Sequence, residues 1–190
     1  MAYLFCGTNS YYFSLVVLVF LFISSSTTSA DARELQINVK VTKSVVNEVC
    51  SQTRNPNLCL NVLSSDPRTE TADLFGLCSI SNNLAFINAT KSLNFINYLV
   101  NIAVPEKKDH LRMCSLYYQN AVEDLKHAAE RMGHSNYKVV NILATDVISK
   151  VNDCENVFQS PPVFPSPLTK WNKNLGDLAD IVVVISKRLS

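Results

Sequence analysis

The chain has 190 residues, of which 47% are hydrophobic and 17% are charged, and its formal net charge at pH 7 is +1. So balanced a charge argues against nucleic acid or an acidic polymer as the main partner. Four glycines are too few for the turns of a β-sandwich of this length, so the composition favours few turns and long helices.

The N-terminal segment, residues 1–30, is predicted to be a secretory signal peptide. It contains no Asp, Glu, Lys or Arg. Its apolar run Tyr11–Ile23 is about 13 residues long, whereas a membrane span needs about 20. Small residues place the cleavage after Ala30 or Ala32. An uncleaved anchor is the alternative, because the segment has no basic residue ahead of the apolar run. Cleavage leaves about 160 residues, enough for one domain with a hydrophobic core.

Residues 33–65 are predicted to form a helical hairpin that reverses at Asn55-Pro56. Cys50 and Cys59 lie nine positions apart. In one straight helix this separation is roughly 13 Å, at about 1.5 Å of rise per residue. A disulfide needs Cα atoms less than about 7 Å apart. Paired cysteines of a secreted chain are interpreted first as disulfides, so a Cys50–Cys59 bridge requires the reversal.

Four bundle helices are predicted after the hairpin, at about 71–103, 106–132, 136–159 and 168–189. Apolar residues in the last three recur at alternating steps of three and four, which is the a/d seam of a helix bundle. These seam positions are Leu111, Cys114, Tyr118, Ala121, Leu125, Ala128 and Met132; Tyr137, Val140, Ala144, Val147, Val151, Cys154 and Phe158; Leu168, Trp171, Leu175, Leu178, Val182, Ile185 and Leu189. The predicted fold class is therefore all-α: an up-down four-helix bundle over residues 71–190, preceded by the hairpin, with two disulfides.

The first bundle helix has a less regular stripe. Thr69 or Thr71 is the expected N-cap, and Gly133 is placed as the C′ residue just beyond the end of the second helix. The stripe comprises Leu74, Leu77, Leu84, Ile87, Phe95, Tyr98 and Ile102. Four prolines between residues 161 and 167 exclude a helix there and mark a linker.

Five cysteines follow the signal segment, and the odd count means that one is unpaired or bonds another molecule. In an antiparallel helix pair, residues equally far from the connecting turn face each other. Cys114 lies 20 positions before the turn near residue 134 and Cys154 lies 20 after it, so we expect them to pair. The same reflection through the preceding turn places Cys78 near Arg131. Cys78 is therefore expected to be a buried free thiol.

The sequence contains no recognised catalytic or metal-binding motif. Cys-x-x-Cys, His-Glu-x-x-His, Gly-x-Ser-x-Gly, P-loop and dinucleotide fingerprints do not occur. Asp124 and its acidic neighbours are interpreted as ion-pair partners of basic residues on the same helix. Neither a cofactor nor an enzymatic activity is predicted. Three histidines lack partners at metal-ligand spacings: His110, His127 and His134.

Asn88-Ala89-Thr90 is the one Asn-x-Ser/Thr sequon of the chain. In a secreted protein it predicts N-glycosylation at Asn88. The alternative is that helix geometry or partial burial leaves Asn88 unmodified.

Four segments resemble the plant invertase and pectin methylesterase inhibitor family, including its invertase-inhibitor-like branch. They cover nearly the whole mature chain and contain four cysteines in the family's spacing. The segments are CSQTRNPNLCLNVLSSDPRTETADLFGL, CSLYYQNAVEDLKHAA, ATDVISKVNDCENVF and SPLTKWNKNLGDLADIVVVISKRL. The resemblance implies a secreted, cofactor-free four-helix bundle of the plant cell wall or vacuole. Such a protein has no catalysis of its own and blocks the cleft of pectin methylesterase or acid invertase one-to-one. The family's cysteine pairing agrees with the one expected above.

The target is the open question. Invertase inhibitors are similar to one another in a Pro-Lys-Phe motif ahead of the third bundle helix, where this chain has Tyr137-Lys138-Val139 and keeps only the lysine. A lysine suits a glycosidase cleft, because such clefts contain paired carboxylates. A binding module that inhibits neither enzyme is a second hypothesis. For pectin methylesterase, the expected contacts are exposed polar positions on the second and third bundle helices: Gln119, Glu123, Asn141 and Thr145.

Overall fold

The computed structural model describes residues 43–190, whose regular secondary structure consists of helices joined by turns and a proline-rich linker. The predicted signal segment and residues 33–42 of the predicted hairpin lie outside the described residues. Within the described part of the chain, no helix is long and apolar enough to cross a membrane. The helices are α1 Lys43–Ser51, α2 Pro56–Ser65, a short 3-10 helix Pro67–Thr71, α3 Leu74–Ile102, α4 Pro105–Gly133, α5 Tyr137–Val157 and α6 Thr169–Leu189.

The four long helices α3 to α6 form an antiparallel bundle. Each packs against its neighbours in chain order, and α6 closes the ring against α3. The hairpin of α1 and α2 packs on α6. Fold class and helix order are as predicted, and short connections explain the up-down topology.

The seams predicted on α4, α5 and α6 form the core. All seven seam residues of α4 are buried, and Tyr118 is the largest fully buried side chain. On the other two helices only the end positions Tyr137, Trp171 and Leu189 are half-buried. A strict alternation of three and four steps therefore located the buried face correctly.

The stripe predicted on α3 is wrong for three of its seven residues. Ile87, Tyr98 and Ile102 are exposed by 42%, 57% and 61%. Apolar residues surround this helix on all sides, so their positions do not identify one face. Its buried face consists largely of small residues, which let the neighbouring helices approach closely: Cys78, Ser81, Ala85, Ala89 and Ser92.

Two predicted helix ends also need correction. Asp73, rather than Thr69 or Thr71, caps α3, because its carboxylate accepts a hydrogen bond from the Gly76 amide at 2.6 Å. The threonines belong instead to the 3-10 helix. Gly133 is the last residue of α4, and the left-handed residue of the turn is Ser135, with φ 53°.

Two disulfides are present, as the fold prediction required. Cys50 is joined to Cys59 across the hairpin turn, with Cα atoms 5.4 Å apart. Cys114 on α4 is joined to Cys154 on α5, with Cα atoms 4.7 Å apart. Cys78 is free and fully buried on α3, and burial raises the pKa of its thiol to about 12.

Candidate functional site

The outer surface of α4 and α5 is held in place by cross-links between the two helices. The Cys114–Cys154 disulfide joins them covalently. Further along the pair, the Lys150 ammonium of α5 lies 2.6 Å from the Asp124 carboxylate of α4 and 3.5 Å from that of Asp146. Lys150 and Asp124 are only 19% and 17% exposed, so this ion pair is better shielded than an ordinary surface pair.

This ion pair was missed by the sequence analysis, which assigned Asp124 to a pair within its own helix. Its neighbour Glu123 does form such a contact, with Lys126 at 3.9 Å, and both of these side chains are well exposed. Spacing along one helix reveals partners three or four positions away. The register indicated by Cys114 and Cys154 places Ala144, not Lys150, opposite Asp124, so the position of the turn alone does not predict this pair.

On α4, the structure leaves both candidate target-binding residues exposed. Gln119 donates to the Ser115 hydroxyl at 3.2 Å, and that hydroxyl donates to the Asn97 side chain of α3 at 2.7 Å. Glu123 lies one turn further along α4 and is also exposed. These two side chains therefore occupy the part of the surface that borders α3.

On α5, the two candidates differ. Thr145 is exposed, and its hydroxyl donates only to the Asn141 carbonyl of its own helix at 2.8 Å. Asn141, expected to be exposed, is half-buried. Its amide donates to the Val183 carbonyl at 2.9 Å and to the Ser186 hydroxyl at 3.1 Å, both on α6. Asn141 thus stabilises helix packing, and the expectation that its side chain is exposed is wrong.

The Tyr137-Lys138-Val139 segment forms the first turn of α5. Asn136 caps this turn by accepting a hydrogen bond from the Val139 amide at 3.4 Å. Tyr137 is half-buried against the core and Val139 is half-buried as well. Only Lys138 is exposed, so one side chain of the three projects into solvent.

A second polar cluster ties the proline-rich linker to the bundle. The Glu155 carboxylate accepts hydrogen bonds from the Ser166 and Thr169 hydroxyls, at 3.0 and 2.6 Å, and from the Asn172 amide at 2.6 Å. The Asn172 carbonyl oxygen accepts from the buried Tyr118 hydroxyl at 2.9 Å. Burial raises the pKa of the Tyr118 phenol, which therefore stays a donor.

The hairpin tip is anchored on α6 by hydrogen bonds and charge. The Arg54 amide donates to the Asp180 carboxylate at 2.7 Å, and its guanidinium donates to the Gly176 carbonyl at 2.9 Å. The Asn55 amide donates to the Asp177 carboxylate at 2.8 Å. Arg54 and Asn55 lie within the loop that the Cys50–Cys59 disulfide closes, so this disulfide restrains the residues that contact α6.

A cleft of about 560 Å³ lies between this tip, α3 and α6. We call it the Trp171 cleft, after the half-buried ring on one of its walls. Asn88 contributes from α3, and its Oδ1 is buried without a hydrogen-bond partner. An unpaired buried acceptor costs about 1–3 kcal/mol, and Oδ1 of Asn88 makes no protein hydrogen bond that would offset this cost. The cleft is lined by Asn55, Leu58, Asn88, Lys170, Trp171, Lys173, Asn174 and Asp177.

The outer surface of α4 and α5 carries exposed polar side chains together with the exposed apolar side chains of Leu116 and Ile142. Among residues 43–190, no group of three or more His, Cys, Asp or Glu side chains is placed to hold a metal ion. None of the three histidines belongs to such a group. His110 is buried between Phe158 and Phe164, whereas His127 and His134 are exposed.

The chain belongs to the plant invertase/pectin methylesterase inhibitor family, whose model matches residues 44–185. It is 34% identical to a pectinesterase inhibitor of Actinidia deliciosa over 190 residues, covering 100% of this chain and 98% of that protein. It is 27% identical to cell wall/vacuolar inhibitor of fructosidase 2 of Arabidopsis thaliana over 90% of this chain and 97% of that protein. A crystal structure of a mutant pectin methylesterase inhibitor from Arabidopsis shares the fold, with TM-score 0.67 at 22% identity, covering 75% of this chain and 95% of that one.

Proposed function

We propose that this protein is a proteinaceous inhibitor that binds pectin methylesterase one-to-one and covers its active-site cleft with the outer surface of α4 and α5. The observation that carries the proposal is the cross-linking of α4 to α5 by a disulfide and a shielded ion pair, which restrict the movement of one helix relative to the other. A preorganised surface loses little conformational freedom on binding, so more of the contact energy appears as affinity. Gln119, Glu123 and Thr145 are the exposed polar side chains proposed to contact the enzyme.

Acid invertase is the second candidate target. Lys138 favours it, because the side chain is exposed and its charge complements a carboxylate-lined cleft. Pectin methylesterase is preferred for two reasons. Tyr137 packs against the core instead of projecting beside the lysine. The end-to-end similarity to a pectinesterase inhibitor supports the same choice.

The protein acts outside the cytoplasm in this proposal. Residues 1–30 would direct it into the secretory pathway, and the plant cell wall is its proposed place of action, with the vacuole as the alternative. It has no catalytic activity of its own. Its effect on its target comes from occupying the cleft, for which an interface of the usual size, about 1,600 Å² in total, is sufficient.

Titration against each enzyme separates the targets. Purified, oxidised protein is added in steps to pectin methylesterase and to acid invertase at mildly acidic pH. We expect pectin methylesterase activity to fall linearly to a break at one equivalent, with invertase activity unchanged. The reverse result assigns invertase as the target and refutes our preference. If neither activity changes, the chain is a non-inhibitory module of the same fold, and a pull-down from cell-wall extract should then retrieve neither enzyme.

Variants test the surface itself. Replacing Gln119, Glu123 and Thr145 together by Ala removes three exposed side chains that make only local or weak contacts. The matched control replaces exposed Lys91 of α3 and Lys187 of α6 by Ala. The triple variant should bind at least about tenfold more weakly, which is about 1.4 kcal/mol, with an unchanged melting temperature. Equal inhibition by both variants would remove this surface from the proposal.

A further inference from the structure

We propose that Asn88 carries an N-linked glycan whose first sugar lies in the Trp171 cleft. The inference rests on the proposed entry into the secretory pathway. Asn88 belongs to the sequon Asn88-Ala89-Thr90, and it lines a cleft that no other feature of the proposed inhibitor uses. Because its Oδ1 is buried, Nδ2 is the polar atom of this side chain that can face the cleft.

The folded sequon is not a substrate for glycosyl transfer. Asn88 lies in the middle of a helix of 29 residues, Ala89 is fully buried, and the Thr90 hydroxyl donates to the Phe86 carbonyl at 2.9 Å. Transfer therefore takes place on the extended chain before α3 forms. A lipid-linked diphosphate donor supplies the oligosaccharide. The bond from Nδ2 to the anomeric carbon forms, the bond from that carbon to the diphosphate oxygen breaks, and one amide proton leaves with the lipid diphosphate.

The folded protein must then accommodate the attached sugar, and the cleft provides the space. Its volume of about 560 Å³ falls within the about 300–1,000 Å³ typical of small-molecule sites. Without such a cleft, a sugar attached to a half-buried Asn would force α3 away from its neighbours.

The chemistry of the walls suits a sugar. The Trp171 ring is fixed by stacking on Phe95, with ring centroids 4.9 Å apart, and presents its remaining surface to the cleft as an apolar platform. Amide and charged side chains surround it, including Asn174, Lys170 and Asp177, and supply donors and acceptors for hydroxyl and N-acetyl groups. Covalent attachment makes the contact intramolecular, so even a weak sugar–aromatic interaction suffices to fill the cleft.

The position of the cleft fits the proposed function. It is formed by the hairpin tip, α3 and α6, whereas the proposed inhibitory surface belongs to α4 and α5. A glycan in the cleft therefore leaves the inhibitory surface free, and loss of the glycan should not change inhibition.

The test compares full-length wild type with two variants produced in plant cells. Thr90→Ala removes the sequon but keeps Asn88, and Thr90→Ser keeps the sequon. Thr90 makes its hydrogen bond only within its own helix, so both changes are structurally mild. Intact mass spectrometry should show one glycan on the wild type and on Thr90→Ser, and none on Thr90→Ala. A wild-type protein in the medium without a glycan overturns the inference and leaves the proposed secretion standing.

Tryptophan fluorescence shows whether the first sugar lies in the Trp171 cleft, because Trp171 is the one tryptophan of the chain. Glycosylated wild type should emit at shorter wavelength and be quenched less by acrylamide than Thr90→Ala. The same two proteins made in bacteria, which add no glycan, should have matching spectra. Identical emission and quenching of the two plant-made proteins would show that the glycan points into solvent, which refutes the cleft assignment. Retention in the cell without a glycan would refute both the inference and the proposed secretion.

Discussion

Removing each disulfide separately should destabilise the protein in the order of the loops that they close. The chain-entropy estimate for a separation of 40 residues is about 4 kcal/mol, and for a separation of nine about 2.6 kcal/mol. All four cysteines are fully buried. Paired replacement by Ala is therefore the cleanest change, since it buries no new polar group. Loss of Cys114–Cys154 should lower the melting temperature by about 8–16 °C, given about 2–4 °C per kcal/mol for a domain of this size.

Urea unfolding of the two double variants measures these differences. Cys78→Ala is the matched control, because it deletes a buried sulfur that belongs to no bridge. It should cost less than either double variant. The order of the two bridges is the decisive result. If the hairpin bridge proves to contribute as much as the α4–α5 bridge, loop length does not govern their effect, and docking of the hairpin tip on α6 is the stronger cause.

Three further predictions concern buried polar groups and the free thiol. Lys150→Ala should lower the free energy of unfolding by about 1–3 kcal/mol because it leaves the shielded Asp124 unpaired, and adding Asp124→Ala should recover part of that loss in the same urea titration. Asn172→Ala should lower the free energy of unfolding more than Tyr118→Phe does. It removes both the oxygen that accepts from the Tyr118 hydroxyl and the amide that donates to the Glu155 carboxylate. Equal losses in urea unfolding would contradict this. The Cys78 pKa is raised in the folded state, so its contribution to stability is complete below about pH 9 and should be lost as pH rises from there to about 12; the alkaline decline should be shallower in Cys78→Ala.

The fold was largely predictable because its signals are local and repeated. The seams of α4, α5 and α6 follow strict alternation, and the reflection of Cys114 onto Cys154 uses only the position of one turn. The stripe of α3 was not predictable in the same way. Its buried face consists largely of small residues, and several larger apolar side chains such as Tyr98 are exposed. Large apolar residues therefore do not identify the buried face of α3, because some of them are buried and others are exposed.

The candidate site was predictable in outline but not in detail. Helix periodicity placed Gln119, Glu123 and Thr145 on outer faces, and the structure leaves them exposed. Asn141 lies on the same side of α5 as Thr145, yet it is turned far enough to donate to the Val183 carbonyl and the Ser186 hydroxyl of α6. The angular position of α6 around the bundle decides this contact. That position is a property of the tertiary packing and has no signal within a single helix.

The central claim is that one surface, formed by α4 and α5, blocks pectin methylesterase in a one-to-one complex. Hydrogen exchange of the protein with and without an equimolar amount of the enzyme tests it most directly. We expect a complex of one molecule of each, with added protection concentrated on the outer residues of α4 and α5 and little change in the hairpin. A complex of that composition protected only on the hairpin or on α3 would contradict the assignment of the surface, and unchanged exchange throughout would contradict the proposed target.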